Sequence, residues 1–297
     1  MRRRTLLLSV SAAAAGGLAV KTGQASASER TVLSSTKSST LGARAVTPYE
    51  PIQGQAPVPV RTVARRDYSF ARDGRALRTQ VWAPVGPGPY PLVLFSHGLH
   101  AQPDDYASLL ARWALAGFVV AAPRYPHTAL GTSKFNAYDL VNQPLDASEV
   151  ITRVLEKEPV DASRIAAAGH SGGGITTAGL LSAHRDDRLK AGVLMAGTDF
   201  LGTPFSGPPA AVLMVHGRED TSVKYTAART VYEAVPWSRA MMTITDGGHQ
   251  ITDLPAVAAT TTAFLRWSFY GGDPVLPVQH GVATLDDELT TADAPAR

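Results

Sequence analysis

Arg164-Ile165-Ala166-Ala167-Ala168-Gly169-His170-Ser171-Gly172-Gly173-Gly174 is the stretch on which the reading of this chain turns. An apolar, strand-like run ends at Gly169, and a helical pattern begins at Ile175. Between them lies G-x-S-x-G in the strand–turn–helix setting that a nucleophile elbow requires. Such a turn holds its central residue at strained backbone angles, so the positions two before and two after it must be very small. Gly169 and Gly173 meet that need and would push the Ser171 hydroxyl out over the sheet edge. The first amides of the following helix then stand beside it, where they can stabilise an oxyanion.

Two downstream sites supply the groups such a serine needs. Val215-His216-Gly217-Arg218-Glu219-Asp220 closes an apolar strand and puts Asp220 just before a helical pattern opening at Val223. Thr245-Asp246-Gly247-Gly248-His249 closes the next strand and puts His249 on a glycine-rich loop. A serine hydroxyl is a weak nucleophile at neutral pH and needs a base within hydrogen-bond reach. His249 is the candidate base and Asp220 the carboxylate that orients it. Asp199, after the preceding strand, is the other candidate acid, and Glu219 reads as a solvated charge. His97, His170 and His216 also abut strand ends and compete as bases. His170 adjoins the nucleophile, and backbone alternation should point it away from Ser171.

Around these motifs, strand and helix patterns alternate. Strands are expected at 61–70, 76–83, 91–96, 118–122, 164–169, 190–196, 210–215 and 240–245, the first two joined at Asp73-Gly74. Helices are expected at 106–116, 145–158, from 175, at 223–235 and at 255–269. From the third strand onward the apolar runs are continuous, as in a mostly parallel sheet with helices on both faces. The expected fold class is therefore α/β with eight strands. Residues 123–144 form a long loop, and 271–297, rich in Pro, Asp and Thr, read as a poorly ordered tail.

The N-terminal 27 residues read as an export signal rather than as part of the fold. Arg2-Arg3-Arg4 precedes an apolar, alanine-rich run, and Ala25-Ser26-Ala27 offers a small-x-small cleavage site. The Arg3-Arg4-x-Leu6-Leu7 arrangement resembles a twin-arginine signal, and the run is too short for a convincing membrane anchor. Residues 28–48, rich in Ser, Thr and Ala, read as a disordered leader, leaving 49–270 as the catalytic domain. Without the four bases of the signal, 24 basic side chains face 25 acidic ones, a formal charge of −1. That balance gives no basis for nucleic-acid binding. The 297 residues include no cysteine, which excludes disulfides, thiol nucleophiles and zinc–thiolate sites. Neither a phosphate loop, a dinucleotide fingerprint nor a metal-ligand cluster is present, so no cofactor is implied.

The order Ser171…Asp220…His249 resembles that of the α/β-hydrolase fold. The resemblance narrows with Phe95-Ser96-His97-Gly98, Tyr106–Ala111 and Ala116–Pro123, joined to Gly169–Gly173. Together they resemble the branch holding dienelactone-hydrolase-like esterases, platelet-activating-factor acetylhydrolases, chlorophyllases and bacterial cutinases, the polyester hydrolases. By that resemblance the oxyanion hole is formed by the backbone N–H groups of Leu99 and Gly172. The chain departs from the cutinases in carrying Gly172 where they usually have methionine, and from dienelactone hydrolases proper in having serine for cysteine. Only 13 residues, 197–209, separate the sixth and seventh strands, too few for a helical cap, so the site should be open. His100, Tyr125 and His170 are candidates for the pocket wall, with Arg124, His127, Phe135 and Tyr138 of the long loop beside them. The expectation is an exported serine hydrolase that cleaves a small-molecule, lipid or polymer ester through an acyl-enzyme. A cutinase-like lipase or polyester hydrolase and an exported acyltransferase, both with the same triad, are the alternatives, and a non-catalytic scaffold protein is the reading from another class.

Overall fold

Asp73 and Gly74 both adopt left-handed backbone angles, φ 48° and 77°. Two such residues in succession make the type I′ turn whose twist matches a strand pair, and they fold β1 (Val63–Arg72) onto β2 (Arg75–Pro84). The computed structural model that shows this describes residues 46–272, 275–277 and 283–289. The signal-peptide reading of residues 1–27, the leader up to residue 45 and the rest of the 271–297 segment lie outside the described residues. β2 also pairs antiparallel with β4 (Val119–Arg124). From there the sheet runs parallel through β3 (Tyr90–Ser96), β5 (Val160–His170), β6 (Leu189–Met195), β7 (Ala211–Gly217) and β8 (Arg239–Ile244). The strand order is β1-β2-β4-β3-β5-β6-β7-β8, with β9 (Ala283–Glu288) beyond β8. This is the α/β-hydrolase architecture that the chain order of elements implied.

The continuous apolar strands divide by alternation, as a pleated sheet buried on both sides must. Val93, Phe95, Val120, Ala166, Ala168, Val193, Met195, Leu213 and Val215 face one core. Their neighbours Leu92, Leu94, Val119, Ile165, Ala167, Leu194, Val212 and Met214 face the other. The first core is closed by α1 (Ala107–Leu115) and α5 (Pro255–Tyr270), through Leu109, Leu110, Trp113, Phe264 and Leu265. The Trp113 indole N–H, which must find an acceptor when buried, donates to Thr261 Oγ1 at 3.0 Å and ties those two helices together. The second core is closed by α2 (Gln143–Lys157), α3 (Gly172–Leu180) and α4 (Tyr225–Ala234), which present Val150, Ile151, Val154, Leu180 and Val231. Among the described residues, no helix is long and apolar enough to cross a membrane.

The expected eight strands are corrected to nine. β9 (Ala283–Glu288), in the segment read as a tail, pairs antiparallel along the outer edge of β8. Ala283 is buried and Leu285 packs on the first core, whereas Thr284 and Asp286 are exposed. The acid-rich composition of 271–297 masked this two-residue alternation. The leader boundary also moves, because Thr47 bridges to Trp237 beside β8. α3 begins at Gly172 rather than Ile175, because the elbow itself is the first turn of that helix. The long loop contains a 3-10 turn at Ala137–Asn142 that runs directly into α2.

That segment is fastened to the hairpin by charge. Arg75 donates to both Asp139 and Asp146, at 2.6 Å and 2.7 Å, and Arg72 donates to Asp146 at 2.8 Å. The Asp146 carboxylate is fully buried, so it is tolerable only because two guanidinium groups satisfy it. Gln143 continues the clamp inward, accepting from Thr176 Oγ1 and donating to Thr128 Oγ1, both at 2.6 Å. One consequence reaches the elbow: Leu140 is held so close that a Cβ on Gly172 would stand 3.1 Å from its side chain. Between β6 and β7 no helix intervenes, consistent with the absence of a cap.

Candidate active site

Three loops meet at the carboxyl ends of the parallel strands, where open α/β sheets place their sites. The elbow is one. Ser171 sits at φ 54°, ψ −119°, a conformation that non-glycine residues rarely adopt. Its amide is anchored by donation to the Met195 carbonyl at 2.9 Å. The tightness of the turn explains its glycines. A Cβ on Gly173 would lie 1.9 Å from the Ser96 carbonyl oxygen, and one on Gly169 2.1 Å from the Gly173 oxygen. No side chain fits at either position.

The loop after β8 brings His249 to the serine. His249 Nε2 is 2.9 Å from Ser171 Oγ, and its Nδ1 is 2.8 Å from Asp220 Oδ2. The carboxylate partner makes Nδ1 the protonated nitrogen, which leaves Nε2 free to accept from the serine hydroxyl. Asp220 is buried on the loop after β7, where Oδ1 accepts the amides of Ser222 and Val223 at 2.8 Å and 2.9 Å. Burial alone would raise its pKa. The hydrogen bonds from His249, Val223 and Ser222 outweigh that and hold it below the usual carboxylate value. The geometry thus brings together the three residues singled out from sequence. Asp199 is elsewhere engaged, accepting from Thr198 and from the Gly202 amide. The competing acid position is therefore not the one that meets His249.

The loop after β3 forms the opposite wall. Leu99 N lies 3.5 Å from where a Cβ on Gly172 would be, so the two residues expected to form an oxyanion hole are neighbours beside Ser171. The cleft has a volume of about 340 Å³ and is lined by Leu99, His100, Ser171, His249 and residues of the loops around them. Gln250, Thr252, Asp253 and Asp105 also line it and were not singled out from sequence. The first three follow His249 within four positions, a proximity that could have flagged them.

The pocket candidates separate. His100, at φ 56°, borders the cleft and stacks on Phe135 with ring centroids 3.6 Å apart. Tyr125 is corrected. It is fully buried in the second core, with its hydroxyl 2.8 Å from Ser96 Oγ, because the chain turns inward at the end of β4. His170 borders the cleft but is only 1% exposed, and both ring nitrogens are engaged within the protein. Arg124 donates to the Leu130 carbonyl and lines a separate cleft beside β1 and β2. His127 Nδ1 lies 3.2 Å from the Lys134 carbonyl. Phe135 and Tyr138 are exposed, part of an apolar stretch that includes Leu130, Val141 and Leu145. Among the described residues no group of three or more His, Cys, Asp or Glu side chains is placed to hold a metal ion.

Comparison with known proteins gives three results. The model of the chlorophyllase family matches residues 53–202. YitV of Bacillus subtilis (strain 168), a candidate esterase, is 33% identical over 116 residues, covering 36% of this chain and 45% of that protein. The acylaminoacyl peptidase of Pyrococcus horikoshii superposes with a TM-score of 0.60 at 16% identity, over 72% of this chain and 43% of that one. The chain thus spans less than half the length of each of these two relatives, and the last likeness is one of fold.

Proposed function

The chain belongs to the chlorophyllase family, an α/β-hydrolase-type family, and from that premise we propose that it is a serine hydrolase of carboxylic esters. The observation that carries the reading is the unbroken line from Asp220 Oδ2 through the His249 ring to Ser171 Oγ, with contacts of 2.8 Å and 2.9 Å. In this reading His249 Nε2 takes the hydroxyl proton as Ser171 Oγ bonds to the ester carbonyl carbon. The carbonyl oxygen becomes an oxyanion between the Leu99 and Gly172 amides, and Asp220 stabilises the imidazolium. Collapse breaks the bond to the alcohol oxygen, which leaves with the proton from His249. Water then adds to the acyl-enzyme, its proton passing to His249 and on to Ser171 as the carboxylic acid departs.

The setting supports an ester with a lipophilic part. Of the ten large apolar side chains found exposed among the described residues, five lie between residues 130 and 145. That concentrates apolar surface on one segment, which adjoins the cleft through the His100–Phe135 stack. The uncapped site leaves the segment open to a long acyl or alkyl chain. The Arg3-Arg4 and Ala25-Ser26-Ala27 patterns support export by a twin-arginine-type route; secretion that persists after Arg3→Lys and Arg4→Lys would refute that part. For the chemistry, Ser171→Ala is expected to lower hydrolysis of p-nitrophenyl esters by a factor of a thousand or more. It should also abolish labelling by a fluorophosphonate probe. Activity or labelling retained in that variant would remove the nucleophile and with it the proposal.

A further inference from the structure

Behind the reacting groups runs a second line of hydrogen bonds that the chemistry above does not use. Tyr106, at the head of α1, is 4% exposed, and its hydroxyl accepts the Gly98 amide at 3.1 Å. The same hydroxyl lies 3.0 Å from His170 Nδ1. The other ring nitrogen, His170 Nε2, lies 2.8 Å from the backbone carbonyl of His249. A carbonyl can only accept, so Nε2 carries the proton and Nδ1 is the acceptor for the Tyr106 O–H. Direction is therefore defined along the whole line: Gly98 N–H to Tyr106, Tyr106 O–H to His170, and His170 Nε2–H to His249.

The two ends of this line are informative. Gly98 immediately precedes Leu99, whose nitrogen lies 3.5 Å from where a Cβ on Gly172 of the elbow would be, and the His249 carbonyl belongs to the residue whose ring meets Ser171. The middle, His170, is covalently joined to Ser171. We propose that Tyr106 and His170 are positioning residues that set the oxyanion loop and the base loop relative to each other across the nucleophile. The inference rests on the esterase reading of the same site.

Packing agrees with this. A Cβ on Gly98 would lie 3.2 Å from both the Tyr106 hydroxyl and Ser171 Cβ, so the three loops converge on that point. Tyr106 is held against Phe95 with ring centroids 4.8 Å apart, which fixes where its hydroxyl can go. Tyrosine is suited to the junction because its hydroxyl accepts one hydrogen bond and donates another. Phenylalanine would preserve the packing and lose both. Burial, the largest cause, together with the charges of His249 and His216, lowers the His170 pKa to about 4. Its Nδ1 therefore remains an acceptor at neutral pH, and no second imidazolium opposes the one formed on His249. A Leu99 amide displaced by a few tenths of an ångström weakens oxyanion stabilisation without altering ground-state binding, so the cost falls on kcat rather than KM.

The test is kcat per titrated serine. Tyr106→Phe, His170→Gln and His170→Asn are compared with wild type on p-nitrophenyl acetate, the reactive serines being counted by fluorophosphonate titration. Ser171→Ala serves as the control. Tyr106→Phe is expected to lower kcat per titrated serine by about 10- to 100-fold with KM within about threefold. Glutamine at 170 can place an N–H near the Nε2 position and keep the link to His249, so the probe should still react rapidly. Asparagine can place an acceptor near Nδ1 and keep only Tyr106, so labelling should slow. A merely structural role would reduce the number of titratable serines and leave kcat per site unchanged; that result overturns the proposal, as does equal labelling by the two His170 variants. An active Ser171→Ala enzyme would instead overturn the esterase reading itself.

Discussion

Nε2 of His216 stands 3.3 Å from Oδ2 of Asp220, the same oxygen that His249 Nδ1 meets at 2.8 Å. Both side chains are fully buried, and the same His216 nitrogen donates to the Val223 carbonyl at 2.9 Å. His216 therefore braces the loop that carries the acid. Its other nitrogen, Nδ1, is buried with no hydrogen-bond partner among the described residues, which costs about 1–3 kcal/mol.

Replacing His216 by Phe should separate these two effects. The brace on Asp220 is lost, so kcat for ester hydrolysis should fall about tenfold while KM holds. That loss is small beside the roughly thousandfold or greater loss expected of Asp220→Asn, which disturbs the histidine tautomer directly. The unpartnered nitrogen disappears at the same time, so the melting temperature should hold or rise. Wild-type kcat in His216→Phe would show that His216 does not brace the acid.

The exposed stretch from Leu130 to Leu145 can be tested on substrate length. Tyr138 is 86% exposed and Phe135 38%, so Phe135→Ser with Tyr138→Ser removes apolar surface with little loss of core packing. At about 25 cal/mol per Å² a covering alkyl chain would lose about 1–2 kcal/mol, or a 5- to 30-fold rise in KM. The rise is expected for p-nitrophenyl octanoate and not for the acetate. An equal effect on both esters would show that this surface does not receive the chain.

The ninth strand makes the C-terminal segment part of the domain. A chain ended at Gly272 loses Leu276, Ala283 and Leu289 from the first core and strips the partner from the edge of β8. It also loses the ion pair from Asp286 to Arg229. The expected result is a melting temperature lower by several degrees, with light scattering showing association through the bared edge. Unchanged melting and scattering would mean that the strand contributes nothing to stability.

What could be read before folding, and what could not, follows from how far each signal reaches along the chain. Ser171 with Gly169 and Gly173 is a local message, since the turn's steric demand falls within five residues. Asp220 and His249 were legible because the fold assigns each to a particular strand end, and the strands themselves are plain apolar runs. Tyr106 was read only as the start of an expected helix and of a stretch that carries the family resemblance. Its hydroxyl chemistry depends on His170, 64 residues away, and no local pattern distinguishes a core tyrosine from one that joins two loops. Tyr125 erred in the opposite direction, because a polar, aromatic loop looks exposed until the chain is seen to dive back beneath β3. In β9 three successive acids, Asp286 to Glu288, dominated the composition and hid the alternation of Ala283 and Leu285 with Thr284.

Acid should destabilise the fold earlier than carboxylates alone would require. Burial is the largest cause lowering the pKa of His97 and of His170 to about 4, and it also lowers that of His216. One hydrogen bond reinforces the neutral form of His97, whose Nε2 accepts the Tyr125 amide at 3.1 Å, a role closed to an imidazolium, while burial outweighs the bond to the Gly98 carbonyl that favours the charged ring. In the unfolded chain imidazoles titrate near about 6.5. Between that pH and about 4 the unfolded state therefore binds protons that the folded state refuses, and stability falls as pH is lowered through this window. At about 1.4 kcal/mol per pKa unit, His97 and His170 each contribute on the order of 3 kcal/mol to the loss. Asp220, held below its ordinary value, continues the loss at still lower pH. Melting followed from pH 7 to pH 4 should show a steady decline before the carboxylates titrate. His216→Phe, lacking one of the three imidazoles, should decline less steeply. A melting temperature unchanged between pH 6.8 and pH 4.5 would show that these histidines are not held neutral by the fold.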